Sequence, residues 1–190
     1  MKPLIVGCPS RDEMGMVLSV VTLSRVGDYL DRPVEFITGV GSNIPRARNA
    51  VMQGIRQEHG VQDHWVLWWD NDIWLPPNQA PAVAEMIRFS EQHGMATTID
   101  YRINTGEHVL MKRMEDGKVH RFTDKGIESL PNWAPIDATG FGLCYCPVES
   151  DYVFHADALG EDIHYWQDHP NLELRFAKNV RVRHAKTVML

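Results

Sequence analysis

Asp70 and Asp72 stand one residue apart where the apolar run Trp65-Val66-Leu67-Trp68-Trp69 ends. Two carboxylates this close repel each other unless a cation lies between them, and hard divalent ions take oxygen ligands. A short apolar run rich in aromatics and valine reads as a buried strand of a parallel sheet. Ligands of open α/β sheets bind just outside the carboxyl ends of such strands, where Asp70-Asn71-Asp72 falls. Asp and Asn are also favoured turn residues, so a plain strand-ending turn accounts for the same triplet.

Four other groups carry chemistry. Pro9-Ser10-Arg11 follows the first apolar run, and Arg46-Ala47-Arg48-Asn49 lies early in a helical stretch. Glu161-Asp162 follows Gly160, where two acids charge and cap the first turn of a helix. That role is compatible with proton transfer. His184, in Val182-Arg183-His184-Ala185-Lys186, is either a structural histidine or a ligand, with His164 as its rival. Arg46 and Arg48, two apart on a helix, do not share a face, so only one points into a cleft. Trp65, Trp68 and Trp69 suit the core. Trp74 and, in a loop, Trp133 offer aromatic faces to a sugar.

The elements that must position these groups alternate. Strands are expected at Leu4–Cys8, Val34–Thr38, Trp65–Trp69 and Met95–Tyr101. Helices are expected at Met14–Leu30, from Ile44 to about His59, and from about Asn78 to His93. Repeated β–α alternation implies a doubly wound, Rossmann-like, mostly parallel sheet. Beyond residue 101 the pattern becomes antiparallel. His108–Met114 and Lys118–Phe122 flank Glu115-Asp116-Gly117, a hairpin signal. Ile136–Cys146 reads as one strand whose Thr139-Gly140-Phe141-Gly142 suggests a bulge or a close approach to a ligand. A helix is expected around Ser150–Ala158 and another from Gly160 to His169, then strands at Glu173–Phe176 and Val180–His184.

With 190 residues, 44% hydrophobic and 23% charged, the chain has the size and composition of one ordinary soluble domain. A net charge of −6 argues against a general nucleic-acid-binding or anionic-membrane surface. No apolar segment approaches the roughly 20 residues that span a bilayer. The N-terminus is expected to run straight into a strand without a signal-peptide core. The three cysteines Cys8, Cys144 and Cys146 lack metal-finger spacing. Cys144 and Cys146 share one strand face as packing residues, and a reducing cytoplasm fits best.

Taken in order, Arg46-Ala47-Arg48-Asn49, Asp70-Asn71-Asp72, Thr139-Gly140-Phe141-Gly142, Glu161-Asp162 and the late His184 resemble the GT-A glycosyltransferases, in particular the small family 2 enzymes. The resemblance covers nearly the whole chain. It implies a nucleotide-sugar-binding half at 1–101 and an acceptor half at 102–190 of one GT-A-like domain. It also implies a metal-dependent transfer of a sugar from a nucleotide-diphosphate sugar to an acceptor hydroxyl, with inversion as the expected outcome. Asp72 would hold manganese or magnesium, Asp70 would contact the ribose or reach the metal through water, and His184 would be the late metal ligand. Of Glu161-Asp162, Asp162 would be the general base. Pro9, Ser10 and Arg11 would lie against the nucleotide, Arg48 and Asn49 would line the same cleft, and Asp100 would touch the donor sugar. Thr38-Gly39-Val40-Gly41 departs from the pattern, because many members place a uracil-reading acid there. A sugar-phosphate nucleotidyltransferase and a non-catalytic nucleotide-sugar or glycan-binding module are the competing readings. The first usually carries a glycine-rich signature after strand one, absent from Cys8-Pro9-Ser10-Arg11-Asp12.

Overall fold

A computed structural model describes residues 2–10, 17–103, 105–115, 118–155 and 160–184, with backbone alone at Val17, Leu18 and His184. Its centre is a seven-stranded mixed sheet. In chain order the elements are β1 (Leu4–Ser10), α1 (Val17–Leu30), β2 (Val34–Val40), α2 (Ile44–His59), β3 (His64–Trp69), β4 (Ile73–Trp74), α3 (Ala80–His93) and β5 (Ala96–Thr98). Then come β6 (Met111–Arg113), β7 (Val119–Arg121), α4 (Asp124–Ser129), β8 (Ala134–Ile136), β9 (Leu143–Val148), α5 (Glu161–Asp168), β10 (Leu174–Phe176) and β11 (Arg183–His184).

The sheet order is β2-β1-β3-β9-β5-β10-β8. Parallel pairing joins β2 to β1, β1 to β3 and β5 to β10, while β9 runs antiparallel between β3 and β5 and β8 antiparallel beside β10. The expected halves therefore interleave, since β9 and β10 enter the same sheet as β1 to β3.

Strand periodicity sorts the core into two layers. Val66, Trp68, Cys144 and Cys146 pack with Val51, Met52 and Ile55 of α2 and Ile163 and Trp166 of α5. Leu67, Trp69, Leu143 and Tyr145 pack with Leu23 and Val26 of α1 and Val83 and Ile87 of α3. The expected single face for Cys144 and Cys146 is what the strand gives them. Burial pushes the Cys8 thiol up to about 12 and holds the Cys144 thiol well above its ordinary range, so neither ionises at neutral pH.

Gly39, next to the last residue of β2, has no room for any side chain. A Cβ there would lie 2.1 Å from the Ala47 carbonyl and 2.5 Å from the Val51 nitrogen, so only glycine lets α2 approach β2 this closely.

Several expected elements differ from those observed. Residues 136–146 form two strands, not one, because the chain turns at 137–142 before entering the sheet centre. Residues 150–155 are not helical: the Asn49 side chain donates to the Phe154 carbonyl (2.9 Å) and accepts from its N–H (2.8 Å), occupying groups a helix would use. Residues 156–158 lie outside the described residues, as do Asp116 and Gly117 between the antiparallel β6 and β7. Met95–Tyr101 shortens to β5 and Val180–His184 to β11, while β4 and α4 carry no clear sequence signal.

Candidate active site

The carboxyl ends of β1, β3 and β5 meet the start of β9 at one edge of the sheet, and the amino end of α5 closes over it. Arg48, projecting from α2, is the centre of this edge. Its side chain is 1% exposed, lies against the rings of Trp68 (5.4 Å) and Phe141 (5.0 Å), and bridges two acids. Nη2 donates to Asp70 Oδ1 at 3.0 Å, and Nε donates to Glu161 Oε1 at 3.1 Å. Burial opposes the guanidinium charge, but Asp70, Glu161 and Asp162 outweigh it and push the pKa up. Arg48 is therefore a permanent cation.

The acids answer differently. Burial raises the Asp70 carboxyl above its ordinary value, with Arg48 pulling the other way. Asp162, one residue into α5, is pushed up to about 6, first by burial and then by the neighbouring Glu161 charge. A carboxylate poised near neutral pH beside a permanent cation can exchange a proton with a bound hydroxyl.

Tyr101 completes the edge and had no sequence signal beyond its place after Asp100. Its hydroxyl accepts from the Gly142 N–H at 3.1 Å. Burial, then Asp70 and Asp162, holds its phenol well above the ordinary range, so it stays neutral. A Cβ on Gly140 would fall 2.8 Å from the Tyr101 hydroxyl and 3.0 Å from Asp162 Oδ2, and one on Gly142 would fall 2.4 Å from the tyrosine ring. The glycine pair thus admits a side chain of the protein itself. Gly142→Ala should lower stability by about 1–3 kcal/mol, the usual cost of overpacking. A thermal melt within a degree of the parent would show that Tyr101 moves aside freely.

The Asp70–Asp72 turn is tightly anchored. The Ile73 N–H bonds the Asp70 carbonyl at 2.9 Å, and the Trp69 indole N–H bonds the Ile73 carbonyl at 2.8 Å. Ser19 and Thr22, buried on α1, hydrogen-bond the backbone of Ile73 and Leu75. Asn71 donates to the Ser10 hydroxyl at 2.8 Å, so the ends of β1 and β3 are tied together.

The remaining expected site residues are dispersed. Pro9 is buried in β1, paired with Gly39 of β2 beyond the last β1–β3 pair at Gly7, where the sheet makes no use of its missing N–H. Arg11 lies outside the described residues, and so does the His184 side chain. Asn49 spends its amide on Phe154. Asp100 accepts from or donates to His108 Nδ1 at 2.6 Å, and His108 Nε2 lies 2.7 Å from Asp124 Oδ1. Burial raises Asp100, and sequence pattern gave no hint of this acid–histidine–acid chain. Trp133 stacks on Phe89 at 4.0 Å, which occupies the face expected for a sugar. Among the described residues no three His, Cys, Asp or Glu side chains group as a metal site.

No family model and no curated protein sequence matches the chain. Among solved structures it is similar to A197 from STIV, with 10% identity and a TM-score of 0.61 over 96% of this chain and 85% of that one. That likeness concerns the fold. A second similarity, to GalNAc-T7 crystallised with UDP, GalNAc and Mn2+, has 14% identity and a TM-score of 0.46. It covers 98% of this chain but 38% of that one, too loose to bear on function. No helix among the described residues is long and apolar enough to cross a membrane.

Proposed function

We propose that the chain is a metal-dependent glycosyltransferase that moves a sugar from a nucleotide-diphosphate sugar to an acceptor hydroxyl with inversion. The observation that carries this reading is the buried group at the carboxyl edge of the sheet, where Arg48 fixes Asp70 and Glu161 and Asp162 is held near pKa 6. A general base works best with a pKa near the operating pH. On this reading residues 1–101 supply the donor side, with Pro9, Ser10 and Arg11 against the nucleotide, and residues 102–190 supply the acceptor side.

The donor set suits a hard divalent ion in part. Pairing of β4 with β11 seats the His184 backbone opposite Ile73, one residue from Asp72; the carboxylate suits magnesium or manganese, and an imidazole beside it would favour manganese of the two. Asp70 fits better as an outer partner, because Arg48 occupies its Oδ1. When bound, such an ion neutralises charge developing on a leaving diphosphate as a Lewis acid. The chain's own residues do the rest. Tyr101, packed against Gly140 and Gly142, forms one side of the space next to Asp162. Asp162 takes the acceptor hydroxyl proton on a carboxylate oxygen. Arg48 keeps the neighbouring acids charged and in place.

Calorimetric titration with UDP-, GDP- and CMP-linked sugars, with and without manganese, tests the reading. One donor should bind only with metal, and Asp72→Ala should weaken that binding by about 10–100-fold or more. Metal-independent binding that Asp72→Ala leaves intact, or no binding of any donor, would rule the reading out.

A further inference from the structure

We infer that an open cavity beside the acidic cluster receives the anionic group of a phosphorylated or carboxylated sugar acceptor. The cavity, of about 510 Å3, lies between the segment after β5 and the segment leading into β11, and its walls include Asp100, Tyr101, Arg102, Arg181, Val182 and Arg183. Three of the eight wall residues are arginines, in a chain whose net charge is −6.

Their charges are not equally neutralised. Arg102 is engaged by Asp124 at 2.6 Å and by the Gly106 carbonyl at 2.8 Å. Arg183 lies over the Trp74 ring at 5.3 Å, and a ring face leaves its charge and donors largely unspent. Neither Arg183 nor Arg181 has a carboxylate partner among the described residues. Asp100, the acid in the wall, is already shared with His108 at 2.6 Å. Among the described residues, two guanidinium groups therefore stand without a carboxylate at one cavity, and their planar forks match carboxylate and phosphate oxygens.

The position of the cavity says which substrate brings the anion. Tyr101 forms part of the wall, and its hydroxyl flanks the same point beside Gly140 that Asp162 Oδ2 flanks. Tyr101 is thus the side chain that reaches from the cavity wall to the carboxylate to which the transferase reading gives the acceptor proton. The inference rests on that reading for the word acceptor. Binding at the cavity is measured separately.

The experiment titrates glucose, glucuronic acid and glucose 6-phosphate into the protein without nucleotide or metal, at two salt concentrations. Either charged sugar should bind about tenfold more tightly than glucose, as expected of about 1.4 kcal/mol from charge-assisted hydrogen bonds. Added salt should shrink the preference. Arg181→Gln/Arg183→Gln should abolish the preference while leaving glucose affinity unchanged. Arg181→Gln alone, with a side chain outside every described contact, should remove part of it without changing the melting temperature. Absence of binding, equal affinities, or a preference that survives the double substitution would overturn the inference. Displacement of the charged sugar by UDP alone would assign the arginines to the donor and overturn it as well. The nucleotide-sugar titration with manganese reports on the transferase reading independently.

Discussion

On the proposed transferase reading, Asp162→Asn should lower sugar transfer by about 10²–10⁴-fold and leave the affinity for the nucleotide-sugar within about twofold. This is the range lost with a positioned general base. The amide has nearly the shape of the carboxylate but cannot take the acceptor proton. The pH profile gives an independent reading. Asp162 keeps its proton up to about pH 6, because burial and Glu161 disfavour its charge. A base works only when ionised, so kcat should fall as pH drops through 6, about tenfold per unit. Stability has the opposite sign. A carboxyl raised above its ordinary 3.8 opposes folding once ionised, so its cost is absent at low pH and complete above about 6. The Asn variant should therefore melt no lower than the parent at pH 7.5. Unaltered transfer in a folded Asp162→Asn protein would remove Asp162 from the mechanism.

Arg48→Met should lower the stability by about 3–5 kcal/mol at pH 7.5, or roughly 6–20 °C in melting temperature for a chain of this length. Methionine fills much of the space beside Trp68 and Phe141, so the loss is electrostatic. It leaves Asp70 and Glu161, whose side chains are 24% and 13% exposed, without the cation that bridges them. Burial already raises Asp70 with the cation in place, so loss of Arg48 should favour its protonated form further. The difference between variant and parent should shrink as pH falls and Asp70 takes up its proton in the variant. Arg48→Lys should recover little, since a single ammonium cannot repeat the Nε and Nη2 bonds to two acids. A variant as stable as the parent at pH 7.5 would mean that water already neutralises the pair. Chemical denaturation at pH 7.5 and at lower pH distinguishes these outcomes.

Local pattern reveals the elements with strong periodicity and clear punctuation. Asn43 caps α2 by accepting from the Arg46 N–H, and Gly60 follows the end of that helix, so its limits are readable almost to the residue. The alternation through Trp65–Trp69 and Leu143–Val148 likewise fixes which side chains meet which helix layer. What pattern does not reveal is set by contacts distant in sequence. The break between β8 and β9 depends on Tyr101 meeting Gly142, 41 residues away. The extended path near Phe154 depends on Asn49, 105 residues away. The site divides along the same line. Asp70 and Glu161-Asp162 are visible as charged groups at element ends. That Arg48 would be their shared counter-ion follows only from burial, and a two-residue β11 facing β4 leaves almost no periodicity to read.

The central placement of β9 has a consequence for how the chain acquires its structure. During synthesis β1, β2 and β3 emerge early, yet β3 and β5 become neighbours only through a strand that begins at Leu143. Until then Trp68 and Trp69 occupy a raw sheet margin whose backbone groups invite pairing with other chains. Closing the middle of the sheet also requires loops tens of residues long to be restrained before their contacts form, which raises contact order and slows folding. Early and late parts of the nascent chain are thus obliged to consolidate together, and the interval before residue 148 leaves the ribosome is when the chain is most open to aggregation.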